Sequence, residues 1–407
     1  MKPQGWRILS LFILVFEGFG IRILDDVIPS PISFWTALLF IINFRSIRKL
    51  PIKTWLTLFA FFAFYIVFSL LKGVTPNFFL LAAWFSAFFV LSNYYDGKAN
   101  FAEDFYRFTK YCVIYSLLHF PIIILAKDFL IPIQYELEMK TFMYLFYYAG
   151  AVNETLGLNR TQGFCWEPSC WNCLLNMNLA LSLSLNKKRA DIILCAIAIF
   201  LVFSTTGFVT MLFIFGTYFA LYLRKLSIRS ALIIAAILLI ILPVAISNIE
   251  NKLTTGSGAT RYGDFFVALY VVQNSPLLGG DLNNITSDAG AMMAKADNWG
   301  QSAESLRLYD EVGMTNAFAA LFVEWGLIVT CVVLYMMFAS PFFPTKRVAI
   351  LVSSALLVVL MGTPIARTGF FYLFPLSTLI IKKKAYGINF NSNSNIQRRK
   401  DLASVLK

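Results

Sequence analysis

Apolar residues recur along this chain in continuous runs of about 17 to 22 and not at every second position, with polar segments between them. Runs of that length span a bilayer core as helices, and their continuity excludes a closed barrel, whose strands alternate. The pattern predicts an all-α polytopic integral membrane protein with about 12 transmembrane helices. They fall near residues 7 to 21, 31 to 44, 52 to 71, 76 to 94, 110 to 126, 168 to 185, 190 to 204, 207 to 223, 230 to 247, 316 to 338, 347 to 363 and 369 to 381, in a single membrane domain covering 1–407.

Two of the segments between runs are long, 127–167 and 249–315, and loops of that size are uncommon unless functional. In the first, YELEMKTFMYLFYYAG reads as a short helix lying on the membrane surface. In the second, TTGSGATRYGDFFVALYVVQNSPLLGG reads as a turn, a helix from near Thr260 and a stop at Pro276 and Gly279. WGQSAESLRLYDEVG reads as another amphipathic helix, and the polar tail 385–407 as disordered and cytoplasmic.

Composition agrees: 58% of the 407 residues are hydrophobic, 16% aromatic and only 14% charged, outside the range of an ordinary soluble domain. The net charge of +12 is a topology signal. With both termini cytoplasmic, the inner segments carry about 24 of the 34 basic residues, and both long loops face outward. That distribution speaks against nucleic acid as a partner and leaves membrane lipids. The first run lacks an A-x-A-like exit and is expected to remain as an anchor. Cys165, Cys170 and Cys173 cluster at one outer boundary, where a Cys165–Cys170 disulfide is an option in an oxidising compartment. The sole histidine, His119, sits mid-run and reads as a packed residue; a CxxC without further ligands makes no zinc site.

The candidate chemistry lies in NRTQGFCWEPSCWN, residues 159 to 172. Pro168 suits the first turn of a helix, and Gly163 permits a turn just before it, so Arg160 can fold back over the helix start. An arginine beside unpaired helix N–H groups favours phosphate oxygens. Arg261 repeats the arrangement in the second loop, and Arg367, in the PIARTG turn, lies on the same side. Each has a plainer reading: an arginine in an acidic loop is commonly a salt-bridge partner, Glu167 a helix-start carboxylate, and Trp166 an interface aromatic. Glu17 and Glu324 are ionisable groups within spans, with no evident partner in the sequence.

Four segments resemble one family, the O-antigen polymerases and O-antigen ligases of bacterial envelopes (Wzy and WaaL type). They are RTQGFCWEPS, STTGFVTMLFIFGTY, TRYGDFFVALYVVQNSPLLGG and TNAFAALFVEWGLIVTCVV, in the family's order, and the resemblance covers roughly residues 150 to 340. It implies a glycosyltransferase of the inner membrane with its active site facing the periplasm. The implied donor is an undecaprenyl-diphosphate-linked oligosaccharide, used without nucleotide sugar, metal or other cofactor, and a chain-length regulator protein is a further implied partner. The diphosphate is the leaving group, so its developing charge needs preorganised cations. The resemblance carries that role to Arg160 and Arg261, and topology adds Arg367. Glu167 is the first choice of base for the acceptor hydroxyl and Asp264 the second. Gly163, Trp166 and Asn316 are expected to bind substrate beside Arg367. Ligases of the family commonly have a His-Asn pair where this chain has Thr315-Asn316, which favours a repeat-unit polymerase over a ligase. A lipid-linked glycan flippase is the competing non-enzyme class, although the sequence shows neither paired repeats nor an evident mid-membrane helix break.

Overall fold

The computed structural model describes residues 3–20, 31–133, 139–153, 158–222, 256–280, 314 and 316–381. These residues are mostly helical. The helices are α1 (Pro3–Phe19), α2 (Pro31–Ile47), α3 (Ile52–Leu71), α4 (Phe78–Leu91), α5 (Phe101–Leu125), α6 (Pro168–Ser184), α7 (Arg189–Leu201), α8 (Thr205–Tyr222), α9 (Gly256–Asn274), α10 (Ala317–Phe338), α11 (Lys346–Leu360) and α12 (Gly369–Ile380). Among the described residues three, α3, α5 and α10, are long and apolar enough to cross a membrane. The expected span at 230 to 247, the helix expected in WGQSAESLRLYDEVG and the tail lie outside the described residues.

Helix starts follow local chemistry. Asn77, Asn316, Thr345 and Thr368 each cap the following helix by accepting a backbone N–H. Pro168 occupies the first turn of α6, behind Glu167 in an extended conformation (φ −141°, ψ 142°). α5 starts nine residues before the apolar run. Asn100 caps it, accepting the Glu103 N–H at 3.2 Å, and its charged first turns are paired: Arg7 Nε to Asp104 at 2.5 Å, Lys187 to Glu103 at 2.6 Å and Lys110 to Asp191 at 2.7 Å. A paired polar end prolongs a helix that hydropathy alone cuts short.

α6 is the hub. All of its residues are buried, against α5, α7, α8 and α11. Its three asparagines are used or enclosed there: Asn178 donates to the Tyr106 carbonyl (3.2 Å) and Thr109 Oγ1 (3.0 Å), Asn176 to the Gly207 carbonyl (3.3 Å), and Asn172 packs against Gly207.

The first long loop corrects the expected surface helix. It is a four-stranded antiparallel sheet in chain order, β1 (Ile131–Ile133), β2 (Met139–Phe142), β3 (Phe146–Asn153) and β4 (Leu158–Gly163). Met139 and Thr141 are buried while Lys140 and Phe142 are half-buried, a period of two, and the aromatic-rich run favours strand. β4 closes the sheet against α5 and α6.

α10 corrects a second expectation. It breaks at Gly326 (φ 67°, ψ −179°), in the middle of the helix, and the backbone groups freed there find partners elsewhere. Gly280 N–H donates to the Val323 carbonyl at 2.7 Å, Leu327 N–H to the Pro276 carbonyl at 2.8 Å, Thr330 Oγ1 to the Leu321 carbonyl at 2.8 Å and Lys72 Nζ to the Glu324 carbonyl at 2.6 Å. Non-helical backbone in an apolar element persists only when it is satisfied in this way.

Candidate functional site

The segment that carries the candidate chemistry is recessed. Trp171, in the first turn of α6, is fully buried and packs edge-on against Tyr115 of α5 (centroids 5.8 Å) and Phe164 (4.9 Å). Tyr115 lies ten residues before the end of α5, or ~15 Å along its axis. Residues 163 to 167 therefore lie alongside α5 and not beyond its C-terminal end. Gly163 has φ +60°, and a Cβ there would overlap the Trp171 indole, so the turn requires glycine twice over.

From that turn the chain crosses the end of α1. Cys165 bridges Gly20, and Trp166 N–H donates to the Phe19 carbonyl at 2.9 Å. Trp166 itself is half-buried against the core. Glu167 caps α6 by backbone position only; its side chain makes no capping hydrogen bond. Cys165, Cys170 and Cys173 are buried free thiols, so the Cys165–Cys170 disulfide is absent from the fold.

Arg160 is on β4, three residues before Gly163, between buried Asn159 and Thr161. Asn159 Nδ2 ties that strand to the Ala149 carbonyl at 2.9 Å. Arg261 is in α9, which begins at Gly256; it stands in the second turn and not at the helix start, so the first unpaired N–H groups belong to earlier residues.

Asp264 and Asn316, expected as a base and a substrate ligand, form one structural unit. Asp264 is fully buried, and its Oδ2 accepts the Asn316 backbone N–H at 2.7 Å. Asn316 Oδ1 in turn accepts the Ala319 N–H at 3.1 Å. The pair fastens α9 to the start of α10.

Arg367 stands next to the end of α1, where Gly18 packs on Thr368 and Phe19 on Phe370 (centroids 5.1 Å). Its Nε meets Glu324 Oε2 at 3.4 Å, so the arginine expected to hold an anion has a carboxylate partner. Arg367 is 38% exposed and Glu324 only 8%. The exposed arm lets water screen the pair, but losing the arginine would strand a buried carboxylate, and the second effect dominates. The partner of Glu324 was invisible in sequence because it lies 43 residues away.

These elements form one connected cluster. The α11–α12 turn sets Gly362 on Thr206 and Arg367 on Glu324; Gly207 packs on Asn172, and Gly279 packs on Val323 and Gly326. Lys72, between α3 and α4, completes it at the α10 break. No family model matches this chain, and neither a curated protein nor a solved structure does.

Proposed function

We propose that this protein is a bacterial surface-polysaccharide repeat-unit polymerase of the Wzy type. In this reading it crosses the inner membrane about 12 times with both termini cytoplasmic, by the run lengths and basic-residue bias. It transfers a glycan from undecaprenyl diphosphate to a hydroxyl of a second lipid-linked unit. The acceptor oxygen bonds to the anomeric carbon as the bond from that carbon to the diphosphate breaks. Glu167 takes the hydroxyl proton, and the electron pair departs on the diphosphate, opposite Arg160 and Arg261. Arg367, oriented by Glu324, offers its remaining guanidinium N–H donors beside the end of α1.

The observation that carries this reading is that the four segments on which the family resemblance rests meet in two pairs, and that the α11–α12 turn joins the pairs through Gly362 on Thr206 and Arg367 on Glu324. RTQGFCWEPS leads into α6, whose Asn172 packs on Gly207 of STTG, while Pro276 to Gly280 close on Val323 and Leu327 of the α10 segment. Segments more than 100 residues apart in sequence thus converge through one turn, as the parts of one site do. The recess supports it further, because excluding water strengthens charge interactions with a leaving group.

Reconstitution tests it. Purified protein in lipid vesicles, given its lipid-linked repeat unit without nucleotide sugar or divalent metal, is expected to produce a ladder of chains on a gel. Arg160→Ala and Arg261→Ala are each expected to slow chain formation by about 10²- to 10³-fold. A folded wild-type protein that makes no ladder would overturn the polymerase reading. A flippase is the second reading, favoured by the break in the middle of α10, since transporters build sites at interrupted helices. Translocation of the lipid-linked glycan without chain growth would select it.

A further inference from the structure

The β2–β3 hairpin runs back along α5. Tyr115 O–H donates to the Leu145 carbonyl, Phe146 stacks on Tyr115 (centroids 5.3 Å), and Tyr148 O–H donates to the His119 carbonyl at 3.0 Å. Those rungs put the hairpin tip ~15 Å short of Leu125, beside the middle of a helix that is long and apolar enough to cross a membrane.

The tip is built for a place without water. Met143, Tyr144 and Leu145 are 67%, 60% and 62% exposed, and none carries a charge. Met143 and Tyr144 have φ of 54° and 55°, positions that Asn and Gly ordinarily fill in tight hairpin turns. Four of the five carbonyls from Phe142 to Phe146 have partners within the protein. Phe142 accepts the Leu145 N–H at 3.1 Å, Tyr144 the Tyr147 hydroxyl at 2.7 Å, Leu145 the Tyr115 hydroxyl, and Phe146 the Thr141 hydroxyl at 3.0 Å. A turn in water can leave such groups to solvent, whereas one in hydrocarbon gains from each that is paired within the protein.

Between this tip, α1 and α5 lies a groove of about 750 Å³, within the range of small-molecule sites. Leu9 and Phe12 of α1, Phe108 and Tyr115 of α5, Phe146 of the hairpin and Phe164 line it. No charged side chain is among the lining residues, so the groove suits a hydrocarbon chain and not a headgroup. The α5 surface beside it exposes Tyr111 (60%), Ile114 and Leu118, a flank that lipid covers in a membrane.

We propose that the β2–β3 hairpin is a re-entrant element seated in the hydrocarbon layer, and that the groove it walls holds an acyl chain of a bilayer phospholipid. This stands apart from the polymerase reading and requires only that α5 cross a membrane. The groove gives the phospholipid a fixed place on the flank of the recessed 163 to 167 segment, through Phe164.

The test uses the full chain in phospholipid vesicles, with the exposed Cys331 replaced by Ser. Met143→Cys, and separately Leu145→Cys, carry a bimane fluorophore, and Lys98→Cys serves as a water-exposed reference, its side chain being 81% exposed. Phosphatidylcholine brominated at mid-chain is expected to quench the two tip sites at least twofold more than aqueous iodide does, with the order reversed at Lys98. A phospholipid bearing a photoreactive acyl chain is expected to label peptides 5–12 and 108–115, and Leu9→Trp, which fills the groove, to remove that labelling. Iodide quenching of the tip equal to that at Lys98, or labelling unchanged by Leu9→Trp, overturns the proposal. So does displacement of the label by polyprenyl phosphate in preference to excess phospholipid, which would make the occupant an isoprenoid.

Discussion

α3 and α6 have opposite surroundings although both read as membrane spans. α3 is the more apolar and turns Leu56, Phe59, Val67 and Leu71 outward, while its buried positions include Thr54, Tyr65 and Ser69. α6 carries Asn172, Asn176, Asn178 and three serines, and every one of its residues is buried. In water the ranking would be reversed. In lipid, apolar side chains gain little by leaving the solvent, so polar groups that need partners and small residues that allow close approach decide which helix is central. The less hydrophobic helix is therefore the one around which α5, α7, α8 and α11 assemble.

Substitutions break or sharpen that contrast, and the largest effect falls where α6 meets the recessed turn. Gly163→Ala drives a methyl into the Trp171 indole and puts a Cβ on a left-handed backbone. We expect a loss of about 3 kcal/mol or more, combining overpacking with backbone strain, read as a lower midpoint in mixed-micelle unfolding. Asn178→Leu removes two interhelical hydrogen bonds from α6 to α5 and adds apolar surface. If polar bonding holds α6 in the centre, stability falls by about 1–2 kcal/mol in the same measurement; a gain would show that hydrophobicity drives the bundle after all. Leu56→Ala, at a position 60% exposed on α3, is expected to stay within about 0.5 kcal/mol, since its side chain exchanges one apolar surrounding for another.

Much of the helical frame was legible in sequence, for identifiable reasons. α3 matches its apolar run residue for residue, and α6 begins at the proline that marks it. The recessed turn was legible in part: Gly163 and Pro168 announce it, and Arg160, Trp166 and Glu167 follow along the chain. What failed were readings that depended on distant partners. The first-loop sheet was hidden because aromatic residues suit a surface helix as well as a strand, and the choice was made by pairing across β2, β3 and β4. The tie of Asp264 to the Asn316 N–H was hidden because it spans 52 residues. The break in α10 was hidden because a lone glycine in an apolar run reads as tolerated, and the groups that satisfy it come from Pro276, Gly280 and Lys72.

By itself, the sequence determined the helical class, the long apolar elements and helix starts marked by a local signal, such as Pro168. All of these follow from run length and from interactions within a turn or two. Only the tertiary structure decided which helix is central, that the first loop folds into a sheet beside α5, and that Arg367 meets Glu324. Those outcomes depend on which polar groups find one another across the bundle, and sequence distance does not encode that distance in space.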